Sequence, residues 1–277
     1  MDPRADKDHM STTYGVIGAT GKTGSRIADR LEQRGLTVRR LARGSATPFD
    51  WTDPEGWTAA LAGISRLYIA YVPDLAAAGS DVAITRLAEV ARTAGVERLV
   101  LLSGRGEDGA RAAEDVLRSS AIDTTIVRAS WFSQNFTEGM LAESVAAGFI
   151  AIPAGERVEP FVDVDDIADV AVEALTGEGH AGRVYEVTGP ELLGFADAAA
   201  LLSEVTGHPV AYLAVSLDEF HAAIAADFGP EAADLLTELC REVFDGRNES
   251  LGRGVQEALG REPRSLRAVV EAAAVVA

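Results

Sequence analysis

Three glycines spaced by three, Gly18, Gly21 and Gly24 in "GATGKTG", stand between an apolar run, "YGVI", and a helical stretch, "SRIADRLEQRG". This arrangement suits the phosphates of a nucleotide. The first glycine permits a tight turn, the second lets backbone N–H groups approach a pyrophosphate, and the third lets helix and strand pack closely. The positive end of the helix then faces the anion, reinforced by Lys22 and Arg26, with Thr20 and Thr23 beside it. A second run, "GRGEDG" (Gly104, Gly106, Gly109), matches G-x-G-x-x-G by letter. It is not read as the phosphate loop, because Glu107 and Asp108 would repel a pyrophosphate.

About 20 residues beyond a phosphate turn, a site selective for NAD(H) carries an acid for the ribose hydroxyls. Here the segment reads "VRRLARGS", with Arg43 and Ser45 at that place. Arginine binds a 2′-phosphate through paired charge-assisted hydrogen bonds, so NADP(H) is favoured over NAD(H); the competing reading is a solvated strand end. Asp50 and Trp51 are candidates for the adenine edge and face, with a structural tryptophan as the alternative.

The elements that must position these groups follow from hydrophobic patterning. From residue 13, short β-branched runs ("TYGVIGA", "TVRRLA", "RLYIAYV", "ERLVLLS", "DTTIVRA") alternate with helical stretches such as "SRIADRLEQRG" and "SDVAITRLAEVARTAG". Strands separated by helices imply parallel pairing, and runs that are nearly all apolar imply helices on both faces. The expected fold is α/β, a Rossmann-type doubly wound parallel sheet with a smaller, mostly helical C-terminal substrate lobe. The expected division is a disordered leader over 1–12, a nucleotide-binding core over 13–152 and the lobe over 153–277, with a strand near 183–188 returning to the core sheet.

Composition narrows the function classes. The formal charge is −18, which repels nucleic acid and anionic lipid. No apolar run approaches the roughly 20 residues that cross a bilayer, and the first ten residues lack a signal-peptide core, so a cytoplasmic protein without a membrane partner is expected. Cys240 is the single cysteine, which excludes an internal disulfide and a cysteine-based metal site. Asp163, Asp165 and Asp166 in "FVDVDDIADVAVEAL" read as a capped helix start rather than a metal site, and His180, His208 and His221 are isolated, so no metal is expected. The expected partner is a small-molecule substrate, on a monomer or homodimer.

With "GATGKTG", "RLVLLSGRGE", "DTTIVRASWFSQNF" and "PFVDVDDIADVAVEAL" in this order, the chain resembles the NmrA-like branch of the atypical short-chain dehydrogenase/reductases. Within it the chain looks most like bacterial relatives of the ergot-alkaloid enzymes agroclavine dehydrogenase and festuclavine dehydrogenase, which belong to secondary metabolism. The stretch "RASWFSQNF" is the more specific marker; its usual form has proline where this chain has Ala129. The resemblance implies an extended NADP(H) site with Val72, Pro73, Ser103 and the Ser130 to Asn135 loop around the nicotinamide.

Short-chain dehydrogenases of the usual kind reduce carbonyls with a Tyr-x-x-x-Lys pair that delivers a proton to the developing alkoxide. None of the tyrosines, Tyr14, Tyr68, Tyr71, Tyr185 and Tyr212, has a lysine four residues on, and the only lysines are Lys7 and Lys22. Hydride added to an iminium carbon gives a neutral amine directly, and delocalised acceptors such as quinones lessen the need for an acid. The expected activity is therefore NADPH-dependent reduction of an iminium-type or quinone-like conjugated small molecule, resting on position and orientation. Ser103 and Tyr71 are the candidate catalytic residues. Trp131, Phe132 and Phe136 are candidates for an apolar substrate wall, with Gln134 and Asn135 orienting the substrate. Two other classes stay open: an NADP(H)-binding redox sensor without turnover, and a non-redox biosynthetic helper on the same scaffold.

Overall fold

The computed structural model describes residues 12–276. The expected leader lies outside them, apart from Thr12. The first half alternates strand and helix except for the consecutive β2 and β3: β1 (Thr13–Ile17), α1 (Lys22–Gln33), β2 (Thr37–Ala42), β3 (Thr47–Pro48), α2 (Trp57–Leu61), β4 (Arg66–Ile69), α3 (Ser80–Ala94), β5 (Arg98–Gly104), α4 (Asp108–Arg118) and β6 (Asp123–Ala129). A 3₁₀ turn at Ser133–Phe136 follows. Beyond it come α5 (Met140–Ala146), β7 (Phe149–Ile152), β8 (Val158–Glu159), α6 (Val164–Thr176), β9 (Val184–Val187), β10 (Leu193–Gly194), α7 (Phe195–Thr206), β11 (Ala211–Ala214), α8 (Leu217–Phe228), α9 (Pro230–Val243), α10 (Gly254–Leu259) and α11 (Leu266–Val276).

Seven parallel strands form the main sheet in the order β3-β2-β1-β4-β5-β6-β9. Each face is sealed by its own apolar layer. Ile27, Ala28 and Leu31 of α1 and Ile167, Ala171 and Leu175 of α6 pack against Val16, Tyr68, Val100 and Val127. Trp57, Ile84, Leu87 and Leu117, from α2, α3 and α4, cover Ile17, Leu67, Leu99 and Ile126 on the opposite face. Double coverage is why β1 is buried from Tyr14 onward instead of alternating. Chain order reverses between β1 and β4, and such a switch point opens a crevice beyond the carboxyl ends of the strands.

The lobe has a separate core in which Phe136, Phe161, Phe195 and Phe244 pack with Ile150, Leu202 and Val270. Two small sheets, β7 with β11 and β8 with β10, frame it. The division at residue 153 needs revision. Helix α6 lies on α1 and buries nine residues against the main sheet, and α10 packs on α6 and β9, so both belong to the first core. A near-continuous apolar helix needs a large covered face, and the sheet supplies it. Asp163 caps α6 by accepting the Asp165 N–H at 2.9 Å, while Asp165, Asp166 and Asp169 pair with arginines. No helix among the described residues is long and apolar enough to cross a membrane.

Candidate active site

The glycine turn sits at the carboxyl end of β1. Gly18 takes φ +77° and donates its N–H to the Leu41 carbonyl at 3.0 Å. A Cβ on Gly24 would lie 2.2 Å from the Gly18 carbonyl oxygen, so at this place only a hydrogen lets α1 touch the turn. Gly21 caps α1 without a side-chain bond, and the first turn of the helix carries no acid. The leading N–H groups of α1 are therefore directed outward beside Thr20 and Gly21, both exposed, as an anion requires.

The side chains around the turn depart from the sequence expectation in two places. Thr23 is buried, and its hydroxyl accepts a hydrogen bond from Tyr68 at 2.9 Å, so it braces helix on strand rather than facing a phosphate. Arg26 is neutralised by Glu138 at 2.6 Å and Asp165 at 3.4 Å, which leaves Lys22 as the cation of the turn. The Lys22 ammonium donates to Asn135 Oδ1 at 2.6 Å, and burial lowers its pKa from the ordinary lysine value.

Arg43 is exposed just past β2. Ser45 shapes the turn that presents it: its hydroxyl bonds the Ala42 and Thr47 carbonyls at 2.9 and 2.6 Å and accepts the Ala42 N–H. Asp50 accepts from the Thr52 N–H and hydroxyl, which hold its carboxyl below the usual range. Half-buried Trp51 packs edge-on to Phe49 and Trp57 and lies 4.6 Å from the Tyr71 ring.

Beyond β4, β5 and β6 lies a cavity of about 380 Å³. It brings together Tyr71, Pro73, Ser103, Ser130, Trp131, Phe132 and Asn135 from the residues named by sequence. Asn135 both lines the cavity and holds Lys22, so glycine turn and cavity form one continuous site. The chain reaches these positions because β5 and β6 end level with each other, Ser103 opposite Arg128 and Gly104 opposite Ala129.

Other named residues lie elsewhere or are already engaged. Phe136 is 1% exposed inside the lobe core against Phe161 and Phe195, so it is not a cavity wall. Gln134 donates to Asp163 at 2.6 Å and accepts the Val164 N–H at 2.8 Å, which anchors α6, and it is buried outside the cavity lining. Val72 is 55% exposed and outside the cavity lining. Ser103 donates its hydroxyl proton to Glu114 at 2.6 Å, leaving lone pairs but no proton for a ligand. Ser130 donates to the Pro160 carbonyl.

Several lining residues escaped the sequence reading. Leu236, Leu239, Cys240 and Val243 form one stripe of α9 over the cavity; their i, i+3, i+4, i+7 spacing was the available signal. Burial pushes the Cys240 thiol up to about 12, so it is an apolar wall. Asn248, by contrast, belongs to "GRNES" (Gly246 to Ser250), a stretch whose composition reads as a helix break at the substrate mouth; it lines the cavity and donates to the Arg105 carbonyl at 3.0 Å. The Trp131 Nε1–H is buried without a partner among the described residues, a donor in a cavity-lining side chain. Two acids also line the wall. Asp74 is shifted up by burial, and Glu107 is pushed up to about 8 by burial reinforced by Asp74, Glu242 and Glu114.

A family model described as NAD(P)H-binding matches residues 18–178, from the first glycine of the turn to the end of α6. The chain belongs to the NAD(P)H-binding family. An NAD(P)H azoreductase of Xenophilus azovorans is 32% identical over 249 residues, covering 81% of this chain and 85% of that one. A festuclavine dehydrogenase of Aspergillus fumigatus is 27% identical over 276 residues, covering 90% and 93%. Among solved structures, triphenylmethane reductase of Citrobacter sp. superposes with a TM-score of 0.80 at 22% identity, covering 95% of this chain and 100% of that one. The same reductase complexed with NADP(H) gives 0.74 at 23% identity, covering 94% and 99%. This member of the family is an NAD(P)H-dependent oxidoreductase of the atypical short-chain dehydrogenase type, as its resemblance to the ergot-alkaloid enzymes implied.

Proposed function

We propose that this protein is an NADPH-dependent reductase of a flat conjugated small molecule, iminium-type or quinone-like. The observation that carries the reading is the link, through Lys22 and Asn135, of the glycine turn with an apolar, aromatic-walled cavity that has no tyrosine–lysine pair beside it among the described residues. Lys22, the only lysine among the described residues, is held by Asn135, and Tyr71 stands instead beside Trp51.

The α1 N-terminus and Lys22 would hold the pyrophosphate, Arg43 the 2′-phosphate and Trp51 with Asp50 the adenosine. A reduced nicotinamide supplies hydride when bound. Pro73, Ser103 and Ser130 shape the floor on which it would lie, and Trp131, Phe132 and Tyr71 stack a planar acceptor over it. The α9 stripe excludes water from that space. The name of the 32% identical relative, an NAD(P)H azoreductase, denotes reduction of a conjugated azo group, which supports this class.

NADPH oxidation against a panel of cyclic imines, quinones, azo dyes and simple ketones tests the reading. Turnover with conjugated members and none with ketones is expected. Ketone reduction alone contradicts it, and NADPH binding without turnover on any acceptor returns the sensor class.

The coenzyme preference makes a separate prediction. Arg43→Ala should weaken NADPH binding about 10- to 100-fold, the value of one or two charged hydrogen bonds, and leave NADH affinity within about 2-fold. Isothermal titration with both coenzymes measures it. Equal loss for both would remove Arg43 from the 2′-phosphate.

A further inference from the structure

Glu107 lies where a reductase cavity has use for a proton. It follows β5 directly, caps α4 from an extended conformation, and lines the cavity with Tyr71, Ser103 and Trp131. Gly104 makes room for it. A Cβ there would fall 1.9 Å from Glu107 Oε2, so the carboxyl group occupies the space that a side chain at Gly104 would fill.

We propose that Glu107 is the proton donor to neutral acceptors in this cavity. The proposal rests on the reductase reading above and extends it from cationic acceptors, which need no acid, to neutral ones. A neutral azo compound takes up both a hydride and a proton. One nitrogen receives hydride, the N=N π pair moves to the other nitrogen, and that nitrogen takes the Glu107 proton as its O–H bond breaks. The product is a hydrazine, NADPH becomes NADP⁺, and the Glu107 carboxylate regains a proton from water at the cavity mouth. A triarylmethane cation receives hydride at its central carbon and is neutral at once.

The groups facing Glu107 keep it in its acid form. Asp74 approaches from the loop after β4, Glu114 from α4 and Glu242 from α9, each a carboxyl group whose charge opposes ionisation of Glu107. Arg105, which lines the same cavity, and Arg128 and Arg247 are spent on other partners. Arg105 holds Glu186 and the Asn248 and Ser250 carbonyls, Arg128 holds Glu114, and Arg247 holds Asp108 and Asp245. With burial this places the Glu107 ionisation near pH 8, so the donor is present at lower pH and lost as pH rises through that value.

The test compares wild type with Glu107→Gln, using NADPH and two probes, a neutral azobenzene dye and a cationic triarylmethane dye, from pH 6 to 10. The expected result is a fall of about 100-fold in the ratio of azo to triarylmethane turnover, with loss of the wild-type azo limb that descends near pH 8. The triarylmethane profile should lack that limb in both proteins. An unchanged ratio overturns the proposal and leaves the reductase reading standing. A parallel loss on both dyes also overturns it, because the cation takes no proton and the effect is then structural. Wild type that reduces the cation but not the azo dye overturns it as well. Wild type inactive on both dyes, although it binds NADPH, fails the reductase reading itself.

Discussion

Gly24→Ala should lower NADPH affinity at least about 100-fold. The new methyl carbon would stand 2.2 Å from the Gly18 carbonyl oxygen, 2.7 Å from its carbon and 3.1 Å from the Ala19 nitrogen. All three are backbone atoms of the turn, so no side-chain rotation relieves the contact. Either α1 tilts off β1 or the turn opens, and both move the leading N–H groups away from the phosphates. Misaligning two charged hydrogen bonds at about 1.5–3 kcal/mol each gives that loss, while the overpacking costs about 1–3 kcal/mol of stability. Gly35→Ala is the matched control. Its φ of +75° makes alanine strained, yet nothing lies within 4 Å of the new atom, so stability should drop by about 1–2 kcal/mol with NADPH binding intact. Thermal melts and NADPH titration of both variants separate the effects. Equal affinity in the two would mean that the turn does not hold phosphate.

Asp166→Ala should be the most damaging single change to stability, about 3–5 kcal/mol, seen as a fall of roughly 6–20 °C in melting temperature. Asp166 is fully buried on α6. Arg261 reaches its Oδ1 at 2.7 Å, the Arg264 guanidinium bonds the same oxygen, and the Arg264 N–H donates to Oδ2 at 2.6 Å. Removing the carboxylate leaves a backbone donor unpaired and leaves two guanidinium groups to share Asp169 where the segment before α11 docks. That segment leads into a helix whose Leu266 and Val270 close the lobe core. The damage should extend to α7, which packs on α11, with faster amide exchange in both helices. A loss under about 1 kcal/mol would show that these arginines find equivalent partners in Asp169 and solvent.

How far the sequence carried the reading depends on whether a property is local. Glycine spacing and β-branched runs are local, and they produced the glycine turn and the parallel sheet. Side-chain direction is not local. Thr23, Gln134 and Phe136 stand in the right segments, but Tyr68, Asp163 and the Phe161–Phe195 pair, all distant in sequence, turn them inward. The place of α6 was misjudged for the same reason, since its covering surface is α1 and the sheet. Glu107 shows the limit most clearly. Its charge was legible and ruled out a second phosphate loop, whereas its acidity depends on burial and on Asp74 and Glu242, which only the fold brings near.

The central claim is that hydride passes from a dinucleotide on the glycine turn to an acceptor in the adjoining cavity. The most direct measurement uses NADPH carrying deuterium at one face of nicotinamide C4, a cationic triarylmethane dye as acceptor, and mass spectrometry of the reduced dye. One of the two deuterated coenzymes should give product with a single deuterium on the central carbon, and the other none. Reduced dye without deuterium from either coenzyme, or no reduced dye at all, would contradict the account.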